Sequence, residues 1–134
     1  MTVAIKERSS ECRVIAFEPF VGNIPLFKQQ TANLRKVSLI EAAVSDHAGT
    51  KAFYCNAIRE HTDHLPGYSS IGYLIREGMA RDPGKTTQVK VVSVDQTVSE
   101  HILFMKVDVQ GGEVEVLKGA ERTIERHGVD MIYV

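Results

Sequence analysis

The chain has 134 residues, 43% hydrophobic and 25% charged, the balance of one globular domain large enough to bury a core. Its 16 basic and 17 acidic residues leave a net charge of −1 with no basic block or aromatic-basic stripe, which speaks against a nucleic-acid partner. No run approaches the ~18 apolar residues of a membrane span, no long apolar stretch marks a leader, and Cys12 and Cys55 are unpatterned thiols, so a cytoplasmic protein without a disulfide or cysteine-metal framework is expected.

In chain order, the apolar run 13–17 (RVIAF) reads as a strand stopped by Glu18-Pro19. A helix follows, with Asn23 as its cap, Pro25 in its first turn, and Ile24, Phe27, Thr31 and Leu34 at helical spacing. Residues 37–43 (VSLIEAA) form the next strand, closed by the turn-rich 45–49 (SDHAG), so the first half reads as a βαβ unit. Residues 51–55 and 87–94 are further strands, the second with Val89 and Val91 alternating against Gln88 and Lys90. Between them, 56–85 holds Gly67, Gly72, Gly78, Gly84, Pro66 and Pro83 and reads as a long excursion from the sheet. Asp95 then caps a short turn or helix. Residues 102–108 (ILFMKVD) are expected as a strand buried on both faces. Gly111-Gly112 make the exit turn, 113–127 one helix with Val114, Leu117, Ala120 and Ile124 inward, and 130–134 a last buried strand. That last strand would present an unpaired edge, and self-association through it is expected.

In an open parallel sheet, ligands sit beyond the carboxyl ends of the strands. Glu18, Ser45-Asp46 and the segment Asp108 to Gly111 fall at such ends. A carboxylate at Glu18 could accept both hydroxyls of a ribose; it could equally cap the helix behind it. Asp108 faces the same crevice or caps the Gly111-Gly112 turn. His61, Asp63 and His64 resemble a metal cluster but lack a thiolate partner at ligand spacing, so no metal site is expected. Tyr68, Ser69 and Ser70 are candidate substrate contacts from the excursion. No G-x-G-x-x-G and no Walker lysine is present, which disfavours nicotinamide or nucleoside triphosphate chemistry.

The segments VIAFEP (14–19), EAAVSD (41–46), VD (94–95) and MKVDVQGGEVEVLKGA (105–120) resemble, in order and spacing, the FkbM family of S-adenosylmethionine-dependent methyltransferases. The resemblance implies an α/β, Rossmann-like methyltransferase fold, with a mostly parallel sheet, helices on both faces and a loop or hairpin excursion. Residues 1–134 would form a single, incomplete domain, lacking the glycine-rich segment that precedes AFEP in the family and the last two strands. The twelve residues before Arg13 are candidates for the end of the missing helix, or residues 2–6 (TVAIK) for the vacant strand position. The resemblance further implies that Glu18 holds the cofactor ribose and Pro19 turns the chain beneath it. Ser45 and Asp46 would lie near adenine, Gly111 would allow close backbone approach, and Asp108 and Gln110 would stand at the methyl-transfer crevice. Gln110 replaces the family's glutamate, keeping its shape while losing its charge. The implied acceptor is a hydroxyl of a small molecule, with Asp108 taking its proton. The rival expectation is a non-enzymatic, self-associating module on the same fold.

Overall fold

The computed structural model describes residues 2, 11–59, 68–75 and 85–134. The expected strand at 13–17 is β1 (Val14–Phe17), and the helix after it is α1 (Ile24–Thr31). β1 pairs in parallel with β2 (Val37–Ile40), from Val14 opposite Val37 to Phe17 opposite Ile40. The chain then bends. The Ala42 N–H donates back to the Ile40 carbonyl, and Ala43 and Val44 form a separate strand, β3 (Ala43–Val44), in another sheet. The single strand expected over 37–43 is therefore two, divided by a kink at Glu41 and Ala42.

That second sheet has the order β3-β6-β4-β5, with β4 (Gly49–Arg59), β5 (Tyr68–Leu74) and β6 (Thr86–Val92). β3 and β6 run parallel, but β4 pairs antiparallel with both β5 and β6. The expectation of a mostly parallel sheet is thus corrected: the structure is mixed α/β, and its longest ladders are antiparallel. The reason is local. The tight turn from Asp46 to Gly49 sends the chain back beside β6, whereas a parallel neighbour would need a crossover of a dozen residues. β4 and β5 also carry two strands into the excursion expected over 56–85. His61, Asp63 and His64 lie outside the described residues, as does most of the 2–6 segment, while the backbone of Tyr68, Ser69 and Ser70 belongs to β5.

The second half departs further from expectation. Of residues 102–108 only β7 (Met105–Lys106) is a strand, paired in parallel with β8 (Ile132–Tyr133), with one further bridge between Ile102 and Val129. Leu103 and Phe104 are 58% and 41% exposed, and Met131, Ile132, Tyr133 and Val134 are exposed too. Neither segment is buried on both faces. The single helix expected over 113–127 is α3 (Glu113–Lys118) and α4 (Glu121–His127), and Val114 points outward at 60% exposure. The break falls at Gly119, where a Cβ would run into the Ser45 carbonyl oxygen and crowd the Asp46 Cα. The turn between α3 and α4 is pressed against the end of β3 and admits no side chain there. Gly119→Ala is expected to cost about 2 kcal/mol of stability through this overpacking. It should lower the urea midpoint at constant slope; an unchanged midpoint would show that the turn can move away from β3.

Successive side chains of a strand point to opposite faces, and β3 uses this to join two cores. Val44 packs with Val94, Val98, Val107, Val116 and Ala120, with Ile15, Phe17 and Val109 against them. Ala43 packs with Phe53, Val89 and Val91, with Phe20 and Leu74 alongside. Ser93 caps α2 (Val94–Thr97) through a capping box with Gln96. The cap expected at Asp95 is therefore supplied two residues earlier, by Ser93. Asp95 caps a different helix instead: its carboxylate accepts the N–H groups of Arg122 and Thr123 at the start of α4. No helix among the described residues is long and apolar enough to cross a membrane.

Candidate functional site

A cavity of ≈ 570 Å³ opens between the two cores. Phe17, Val44 and Val109 line it from one side, Ala43, Phe53 and Leu74 from the other. Its polar lining comprises Glu18, Ser45, Lys51, Asp108 and Glu115.

Glu18 lies just past β1, where its N–H makes a last rung to the Ile40 carbonyl at 3.1 Å. Pro19 has no N–H and turns the chain out of the ladder. The next available donor, the Phe20 N–H, meets Glu18 Oε1 at 2.9 Å, and Asn23 Nδ2 donates to Oε2 at 3.1 Å. Asn23 occupies the N-cap position of α1 without a side-chain capping bond; its amide holds Glu18. The carboxylate is thereby fixed in direction, with lone pairs left for further donors.

Ser45 follows β3 and is 2% exposed. Its N–H donates to the Val92 carbonyl at 3.0 Å, its Oγ donates to Asp46 Oδ1 at 3.0 Å, and it accepts from Lys51 Nζ at 2.9 Å. Asp46 sits behind it, bonded also to His47 Nδ1 at 2.7 Å and Lys51 Nζ at 3.4 Å. Partial burial pushes the Asp46 carboxyl up, but the bonds from Ser45 and Lys51 and the charges of Lys51 and His47 outweigh it and hold the group below its ordinary value.

Asp108 lies one residue beyond Val107, whose N–H bonds to the Tyr133 carbonyl. Lys106 Nζ meets its Oδ2 at 2.7 Å and Gln110 Nε2 its Oδ1 at 2.9 Å. The Lys106 hydrogen bond, then that of Gln110, then the Lys106 charge hold the carboxyl below its usual range, so it is an anion at neutral pH. Gln110 adopts φ 59, a left-handed conformation uncommon outside glycine, and Gly111 continues at φ 104. This turn brings the Gln110 amide back onto Asp108, while the Gly111 N–H donates to Glu113 Oε1 at 2.9 Å. Asp108 also borders a smaller cavity of ≈ 370 Å³ with Glu113 and Tyr133.

Of the residues singled out from the sequence, Glu18, Pro19, Ser45 and Asp108 line the larger cavity together. Asp46, Gln110 and Gly111 do not line it; Asp46 and Gln110 hold Ser45 and Asp108 from behind. Sequence reasoning passed over Lys51, Phe53 and Glu115. Lys51 and Phe53 share a face of β4 by the two-residue period. Glu115 lies three residues after Gly112 and four before Gly119, on the face of α3 that approaches β3, so the glycine spacing was the available signal.

The geometry is that of a strand-end ligand site: two oriented carboxylates, one just past β1 and one just past β7, with apolar residues in the same lining. The profile of the FkbM methyltransferase domain matches residues 1–134. No curated protein and no solved structure matches the chain. With the whole of its length covered by that profile, the chain belongs to the FkbM methyltransferase family.

Proposed function

We infer that the cavity binds S-adenosylmethionine and that the protein transfers its methyl group to a hydroxyl oxygen of a small molecule. The observation that carries this reading is the convergence of Glu18 and Asp108 on one cavity of ligand size. When bound, the cofactor supplies a methyl group on a positively charged sulfur, with a neutral thioether as leaving group. Glu18, already oriented by the Phe20 N–H and Asn23, accepts the ribose hydroxyls, each charge-assisted bond contributing roughly 1.5–3 kcal/mol. Ser45 and Lys51, braced by Asp46, lie toward the adenine end, where Phe53 and Leu74 supply apolar surface. Asp108 orients the acceptor hydroxyl and takes its proton as the oxygen–carbon bond forms. Its low basicity suits a proton that leaves late, and much of the acceleration comes from holding acceptor and methyl in line. Lys106 and Gln110 keep Asp108 in place and charged.

Calorimetric titration with S-adenosylmethionine and S-adenosylhomocysteine tests the reading. Ligand at 100 times its dissociation constant should add about 2.7 kcal/mol of stability; no heat and no melting shift with either compound would refute cofactor binding by this chain. The exposed Leu103, Phe104, Met131 and Tyr133 favour a second reading, a module that self-associates along β8. Light scattering that shows a tight dimer in a protein indifferent to both ligands would select it over the enzyme.

A further inference from the structure

Among the described residues three carboxylates line the larger cavity, and they are not equivalent. Both oxygens of Glu18 are engaged, by Phe20 N–H and Asn23 Nδ2, and both of Asp108, by Lys106 and Gln110. Glu115 differs: its Oε2 is buried with no hydrogen-bond partner among the described residues. A buried carboxylate oxygen left unmatched is costly, and this one belongs to a residue that lines a ligand-sized space. The ammonium group of its described lining does not neutralise it, because Lys51 Nζ is bonded to Ser45 Oγ and Asp46 Oδ1.

We propose that Glu115 is a specificity residue of this cavity, whose carboxylate makes the site prefer a cationic sulfonium ligand over the neutral thioether left after methyl transfer. The proposal rests on the cofactor reading above and deepens it. Among the described residues Asp108 is paired with Lys106 and Lys51 with Asp46, so Glu18 and Glu115 leave the space negative, and low-dielectric walls such as Phe53 and Val44 reduce screening of that charge. S-adenosylmethionine carries a positive sulfur and S-adenosylhomocysteine does not; their shapes otherwise nearly coincide. The loss of that charge on turnover would therefore weaken the product's hold and favour its release.

The test is a comparison of three ligands by calorimetry at low ionic strength: S-adenosylmethionine, S-adenosylhomocysteine, and sinefungin, which carries an ammonium group near the methyl position. The two cations should bind about tenfold more tightly than the thioether, a ratio that shrinks as salt is added. Glu115→Gln should reduce the ratio severalfold, with its main loss on the two cations, and should not lower the melting temperature of the ligand-free protein, because the buried Oε2 has no hydrogen bond to lose. Glu115→Asp, which keeps the charge, should retain most of the ratio. Glu115 also stands in the first turn of α3, and a role confined to supporting that helix predicts the reverse pattern: a lower melting temperature in Glu115→Gln with the ligand ratio unchanged. Equal binding of all three ligands by the parent protein, or an unchanged ratio in Glu115→Gln, overturns the proposal and leaves cofactor binding standing. Absence of binding by all three overturns both.

Discussion

Asp95→Ala is expected to lower the unfolding free energy by about 3 kcal/mol, or roughly 10 °C in melting temperature for a domain of this size. The side chain is 7% exposed. Its Oδ1 accepts the Thr123 N–H at 2.7 Å and the Thr123 hydroxyl at 2.9 Å, and its Oδ2 accepts both the Arg122 N–H and Nε at 3.3 Å. The two backbone donors are among those at the start of α4 that no carbonyl of its own helix can reach. Alanine would leave them and the buried Thr123 hydroxyl without this acceptor. The Asp95 N–H also donates to the Gly119 carbonyl at 2.8 Å, so the residue ties α2 to the break between α3 and α4. Burial alone would push the carboxyl up, but the bonds from Thr123 and Arg122 outweigh it, and the group titrates below its ordinary value of 3.8. A depressed native pKa means that the stabilisation is complete above the unfolded value and lost as pH falls through the native one. The gap between parent and Asp95→Asn should therefore stay level from about pH 7 to about pH 5 and close under stronger acid. A gap that widens on acidification would contradict this arrangement.

Glu18→Ala should weaken S-adenosylmethionine binding about 100-fold while leaving a folded protein, since two charge-assisted hydrogen bonds at the low end of their range would be lost. The variant also releases the Phe20 N–H and Asn23 Nδ2 from their acceptor. Both bonds are only partly buried, so water can replace the carboxylate and a stability loss near 1 kcal/mol is expected. Circular dichroism separates the two effects. A folded Glu18→Ala that binds the cofactor as tightly as the parent would show that Glu18 serves only to order the start of α1. Glu18→Gln sharpens the comparison, because the amide keeps the size but can offer only one acceptor oxygen.

The course of the chain explains which features could be read in advance. Val89 and Val91 alternate with polar neighbours and form β6 as that pattern requires, and the proline after Glu18 ends β1 where a missing N–H must. Apolar runs misled where burial depends on neighbours. Leu103 and Phe104 look like buried strand residues, but the ladder between β7 and β8 is only two residue pairs long and leaves them uncovered. The break between α3 and α4 was hidden because Glu113 to His127 keeps helical periodicity through it; the approach of Ser45, more than seventy positions away, forces it.

For the site, sequence alone determined that carboxylates would stand after two strands, because the order of strand, proline and glycine turns is a local property of the chain. It also sufficed to mark the family, since the segment 105–120 is long and specific. Only the tertiary structure decided that Glu18 and Asp108 share a cavity with Lys51 and Glu115, that Asp46 and Gln110 brace it from outside, and that Asp95 serves α4. Those outcomes depend on contacts between segments distant in the chain, and on which oxygen finds a donor once all of them have packed.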